Sequence, residues 1–113
     1  MQKADLIRVR HMVEAAREAM TFARGCQLAD LAHDRMRVLA IVRCIEIVGE
    51  AAGQISREYR EASPDVPWAA IVAMRNRLVH AYFDVDLERV LDTVNDDLPQ
   101  LLNQLEPRLP ASQ

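Results

Sequence analysis

Aromatic residues are nearly missing from this chain, which carries one Trp, two Tyr and two Phe in 113 residues, and glycine occurs three times. Sheets draw on aromatic and β-branched side chains and close their hairpins with glycine, so this scarcity argues against a sheet-rich fold. Only two cysteines are present, Cys26 and Cys44. They are too far apart in sequence for a metal knuckle and too few for a disulfide framework, and no leader segment is recognisable. The expectation is reduced, helix-packed thiols in a cytoplasmic protein, with no metal site and no cofactor. Long apolar runs are lacking as well. Arg43, Glu46 and Glu50 break up the most apolar region, so no stretch reaches the ~20 residues of a membrane span. Lysine is reduced to Lys3 among 14 basic residues. The other basic residues are arginines, which favours planar pairing with carboxylates or phosphates, although an Arg-rich genome gives the same bias. The net charge of −3 provides no overall attraction to nucleic acid, and any phosphate contact has to come from a local patch.

What is abundant is Leu, Val, Ile, Ala and Met, within a composition that is 50% apolar. This composition suits an all-α fold, and the length suits one domain over residues 1–113. Leu6, Val9, Val13, Ala16, Met20 and Ala23 recur at helical spacing and predict a first helix from Lys3 to about Arg24, ended by Gly25. A second helix, capped by Asp30 or Asp34, is expected to run to about Arg60 on the stripe Val38, Ile41, Ile45, Val48, Ala52, Ile55 and Tyr59. Gly49 and Gly53 share one face of it, and a close neighbour would compensate for their poor helix propensity. The segment Glu61 to Pro67, with two prolines, reads as a loop, and Pro67 suits the first turn of a third helix of about three turns. Asp84-Val85-Asp86 reads as a turn whose last Asp caps a fourth helix, Leu87 to Leu105. Pro99 should kink that helix near Asn95 to Leu98, and the tail after Pro107 should fray. Four such helices with short connections predict an up-down bundle.

Polar chemistry concentrates in Arg75-Asn76-Arg77-Leu78-Val79-His80-Ala81-Tyr82. On a continuous helix Asn76 and His80 stack, whereas Arg75 lies about 140° around from His80. A shared site therefore needs the helix to end near His80, long side-chain reach, or a second subunit. Histidine is the side-chain type whose unperturbed pKa, about 6.5, suits proton transfer near neutrality, which makes His80 the candidate base or acid, and Arg75 can hold a phosphate. No carboxylate pair, nucleophilic Ser or Cys, or second metal ligand accompanies them. That set suits metal-independent attack of a ribose 2′-hydroxyl on its own phosphate.

Arg75, four residues, His80, one residue and Tyr82 reproduce the R-x4-H-x-Y motif, and the chain resembles the HepT-type toxins of the HEPN superfamily. Arg43 to Ala52 is similar to the family's second helix, and Pro67 through Phe83 to its third helix and active-site turn. The resemblance implies a homodimeric helical bundle with both motifs facing a shared cleft. It further implies RNA cleavage by Arg75 and His80, with Asn76 in support. It also implies an MntA-type nucleotidyltransferase antitoxin that transfers AMP to the motif tyrosine, here Tyr82. Bulky anionic adenylates beside the cleft would repel RNA phosphates.

Plainer readings stand beside these. An isolated His80 would be a helix C-cap, Tyr82 with Phe83 could close the end of the core, and Arg77 could contact RNA or simply be solvated. His11 and His33 belong on solvated faces. Glu46 and Glu50 read as a solvent-facing pair or as partners of Arg43, outside the catalytic set. The alternative function is a non-catalytic HEPN module that binds nucleotide or docks a nucleotidyltransferase.

Overall fold

The computed structural model describes residues 2–81 and 84–110, the side chains of His80 and Ala81 excepted. As expected, helix dominates. Helix α1 (Lys3–Phe22) ends before Gly25, whose φ of +73° gives the left-handed conformation that lets the chain turn away. The connection that follows contains a short helix, α2 (Leu28–Ala32). Asp30 lies in its first turn and accepts the Gln27 N–H at 2.8 Å. Asp34 is therefore the residue left to cap α3 (Arg35–Gly53), and its Oδ1 accepts the Arg37 N–H at 3.1 Å.

The expected second helix does not continue to Arg60. It stops at Gly53, and a separate helix α4 (Arg57–Ala62) begins after the Ser56 cap. The cause is Asp5, a buried carboxylate on α1. Its two oxygens take the Ser56 N–H at 2.8 Å and the Ser56 hydroxyl at 2.6 Å. That N–H is thus lost to the intrahelical ladder, and the Ala52 carbonyl accepts instead from the Ile55 N–H at 3.2 Å and from Arg60 at 2.9 Å. Ile55 and Tyr59 are still buried, because the break redirects the stripe without turning it outward.

The expected third helix is also divided, into α5 (Trp68–Val72) and α6 (Met74–Leu78). Beyond Leu78 the chain is extended rather than helical. Val79–Ala81 forms β1, antiparallel to β2 (Asp84–Val85), so Asp84 and Val85 are strand where a turn was expected. The Asp86 N–H closes the end of α6 by donating to the Leu78 carbonyl at 2.7 Å.

Asp86 caps α7 (Leu87–Asp92) as anticipated, accepting the Arg89 N–H at 3.1 Å. A π-helical turn, Thr93–Asp97, then joins α7 to α8 (Leu98–Leu105). This widened turn lies where Pro99 was expected to disturb the helix, since Pro99 has no N–H for the regular ladder. Order continues past Pro107 as far as Leu109, and residues 111–113 of the expected frayed tail lie outside the described residues. Glu106–Arg108 makes a 3-10 turn, Leu109 packs on the core, and Arg108 reaches Asp65 at 2.9 Å.

One hydrophobic cluster joins these pieces, with Met12, Ile41, Ile45, Ile71, Leu78, Leu98 and Leu105 among its fully buried members. α1 and α3 pack along each other, α5 and α6 lie against α3, and α8 packs on α1. Among the described residues, no helix is long and apolar enough to cross a membrane.

Candidate active site

Gly49 sets the distance between α3 and α5. A Cβ added there would lie 3.3 Å from the backbone carbonyl oxygens of both Ile71 and Val72, tighter than side-chain contacts ordinarily run. This is the close neighbour that the sequence anticipated for a helical glycine. Gly53 has nothing within 4 Å of its Cβ position, so that expectation does not extend to it within one chain.

The close approach brings α6 within side-chain reach of α3. Arg75 on α6 donates from Nε to Oε2 of Glu46 at 3.1 Å, across 29 residues of sequence. Oε1 of the same carboxylate accepts from Arg43 Nη1 at 3.4 Å, and Arg43 also bridges to Glu50 at 3.2 Å. The expected pairing of both glutamates with Arg43 is therefore present, but Glu46 has a second partner. Nothing in the linear pattern distinguishes the two, because only the packing of α6 on α3 places one of them beside Arg75. The Arg43 guanidinium is held above its ordinary value, first by hydrogen bonding to Glu50 and then to Glu46.

These side chains border a cleft of about 500 Å3, lined on α3 by Glu46, Gly49, Glu50 and Gly53 and on the other side by Val72, Arg75 and Asn76. Arg75 and Asn76 are thus brought together, with Arg75 Nη1 3.5 Å from Asn76 Oδ1. Arg77 is placed elsewhere. Two residues along a helix rotate by about 200°, and Arg77 borders a separate cavity of about 120 Å3 with Asp97 and Gln100.

His80 lies in β1. Because α6 stops at Leu78, the helical rotation that would separate Arg75 from His80 does not run through to His80. Helix termination, one of the three ways to a shared site, is therefore present in the backbone. The His80 side chain and Tyr82 lie outside the described residues. His11 and His33 are exposed, as expected. Cys26 and Cys44 are free thiols; Cys44 is buried, and burial pushes its thiol up. Among the described residues, no three His, Cys, Asp or Glu side chains converge on a point that could hold a metal ion.

Residues 12–107 match the family model described as Ribonuclease HepT-like. A protein of Thermococcus cleftensis named probable ribonuclease HepT is 34% identical over 95 residues, covering 84% of this chain and 86% of the relative. A Methanocaldococcus jannaschii protein provisionally named an RNase is 32% identical over 95 residues, covering 84% and 87% of the two chains. One from Caldanaerobacter subterraneus, also provisionally named an RNase, is 31% identical over 96 residues, covering 85% and 86%. No solved structure matches the chain at comparable significance.

Proposed function

We propose, from the premise that this chain belongs to the HepT-like ribonuclease family, that it is a metal-independent endoribonuclease and the toxin of a toxin-antitoxin pair. The observation that carries the reading is the placement of Arg75 on a cleft wall, with β1 and its His80 starting where α6 ends.

His80 takes the proton of the ribose 2′-hydroxyl as its oxygen attacks the adjacent phosphorus. Arg75 stabilises the charge on the pentavalent phosphate, and Asn76 supports it. The bond to the 5′-oxygen breaks, and that oxygen receives a proton, leaving a 2′,3′-cyclic phosphate and a 5′-hydroxyl. One imidazole serves one of these transfers at a time. A symmetric dimer with both motifs on one cleft would supply the second from His80 of the partner subunit.

The scaffold is read as a single domain, an up-down bundle of four columns, α1, α3, α5–α6 and α7–α8, acting in the cytoplasm. Support for the dimer comes from the outer side of α3 and its neighbour α5, where Met36, Leu39 and Val72 are 84%, 48% and 44% exposed. In the same reading, an MntA-type nucleotidyltransferase neutralises the toxin by adenylylating Tyr82, and the added anionic phosphates exclude RNA.

Incubating purified RNA with the unmodified protein in EDTA tests this, with Arg75→Ala and His80→Ala in parallel and the product ends analysed. The expected result is cleavage to 2′,3′-cyclic phosphate ends, lost by on the order of 100-fold or more in each variant. A folded dimer with Tyr82 unmodified by mass spectrometry that leaves RNA intact would instead be a binding module for nucleotide or for a nucleotidyltransferase.

A further inference from the structure

We propose that Glu46 is a positioning residue for Arg75, orienting its guanidinium toward RNA phosphate at some cost in electrostatic attraction; this rests on the ribonuclease reading above. Among the described residues, Arg75 is anchored to Glu46 through Nε, at 3.1 Å from Oε2, and its terminal nitrogens make one marginal contact, to Asn76. A guanidinium is a rigid plane with five N–H donors, so a bond at Nε fixes the direction of that plane and leaves the Nη1 and Nη2 edge as the one that can bind a phosphate bidentately. The marginal 3.5 Å contact from Nη1 to Asn76 Oδ1 occupies little of that edge.

Glu46 can act as an anchor because it is itself restrained. Its other oxygen faces Arg43 Nη1 at 3.4 Å, its side chain is 29% exposed, and it lies on α3 one turn before Gly49, where the backbone of α5 comes close to α3. The side chain it holds is 41% exposed and without this contact would be free to sample several rotamers. The drawback is electrostatic. A carboxylate beside Arg75 offsets the positive charge that a phosphate needs, in a molecule whose net charge is already −3.

Orientation and charge can be separated by substitution. Glu46→Ala removes both, whereas Glu46→Gln keeps an oxygen that accepts from Arg75 Nε and removes the negative charge. In steady-state cleavage of a short RNA, Glu46→Ala should lower kcat on the order of 10- to 100-fold, the usual effect of misplacing a group near the reacting atoms. Glu46→Gln should restore most of that kcat while lowering KM severalfold, a split that loss of folding would not produce.

In an Arg75→Ala background, Glu46→Ala should add almost nothing. The proposal is overturned if the two substitutions multiply in effect, if Glu46→Ala leaves kcat unchanged, or if folded Glu46→Gln loses activity as severely as Arg75→Ala. The glutamine arm decides the matter should the alanine variant fail to fold by circular dichroism. Absence of cleavage by the wild-type dimer would overturn the ribonuclease reading and this proposal with it, whereas wild-type cleavage with multiplicative effects would overturn this proposal alone.

Discussion

Tyr59 belongs to the apolar stripe that runs out of α3, and it stays buried although it sits on α4. Its ring meets Trp68 edge to face, with centroids 5.9 Å apart and planes inclined at 73°. Its hydroxyl is buried with no hydrogen-bond partner among the described residues. Burial raises the phenol pKa; Arg108 and Ser63 oppose this from nearby without completing a hydrogen bond. The unfolded chain gives up this proton near the ordinary value of 10.0, while the folded protein still holds it. Folding therefore loses stability as pH rises above that value and through the folded pKa. Urea denaturation between pH 9 and 11 should show a decline that Tyr59→Phe reduces, the remainder including the share of the Cys44 thiol, which burial also raises. At pH 7 the same substitution should be nearly neutral or stabilising by up to about 1 kcal/mol, because it removes an unsatisfied buried hydroxyl. An unchanged alkaline decline in Tyr59→Phe would assign it to another group.

At the scale of elements, the two glycines of α3 look alike in sequence and differ in surroundings. The Gly49 Cβ position is pressed against two backbone carbonyls at 3.3 Å, and Gly53 faces open space on the cleft wall. Gly49→Ala should destabilise the protein by about 1–3 kcal/mol, because backbone cannot yield as a side chain can. Gly53→Ala should stabilise the monomer by about 0.5–1 kcal/mol through helix propensity. Chemical denaturation of both variants checks the pair, and equal effects would contradict the close α3–α5 approach that puts Glu46 beside Arg75. The breaks between elements follow the same logic of local competition. Asp5 diverts the Ser56 N–H and ends the run of α3 into α4, and a π-helical turn precedes Pro99, which cannot donate to the regular ladder.

For the whole molecule, the cleft is bordered by one wall from α3 and one from α5–α6, and the three most exposed large apolar side chains among the described residues, Met36, Leu39 and Val72, lie on α3 and α5, with Ile7, Phe22 and Leu28 exposed on α1 and α2. A second copy covering Met36 and Leu39 would bury that surface. The expected mass by light scattering is that of a dimer, and Met36→Glu combined with Leu39→Glu should raise its dissociation constant by about 10-fold or more. If the active site is shared, RNA cleavage should fall in step with dimer content. A monomeric wild type, or a dimer indifferent to both substitutions, would place the contact elsewhere or remove it.

Helical class, the first helix and its glycine stop, the Asp86 cap and the disturbance before Pro99 were all legible in the sequence, because each depends on residues within a turn or two of one another. So was the density of polar groups from Arg75 to Tyr82, which lies within the residues 12–107 that the family model matches. What only tertiary structure decided depends on contacts across long sequence separations. Asp5 reaches Ser56 over 51 residues and divides a helix that periodicity alone would continue. Glu46 reaches Arg75 over 29 and thereby differs from Glu50, its twin in the pattern. Arg75 and Arg77, two residues apart in the tract, face different cavities because a helix turns about 100° per residue and another element packs on each side. Periodicity specifies which face of an element is buried, but the partner across that face is set by how the elements pack, and the candidate site is made of such pairings.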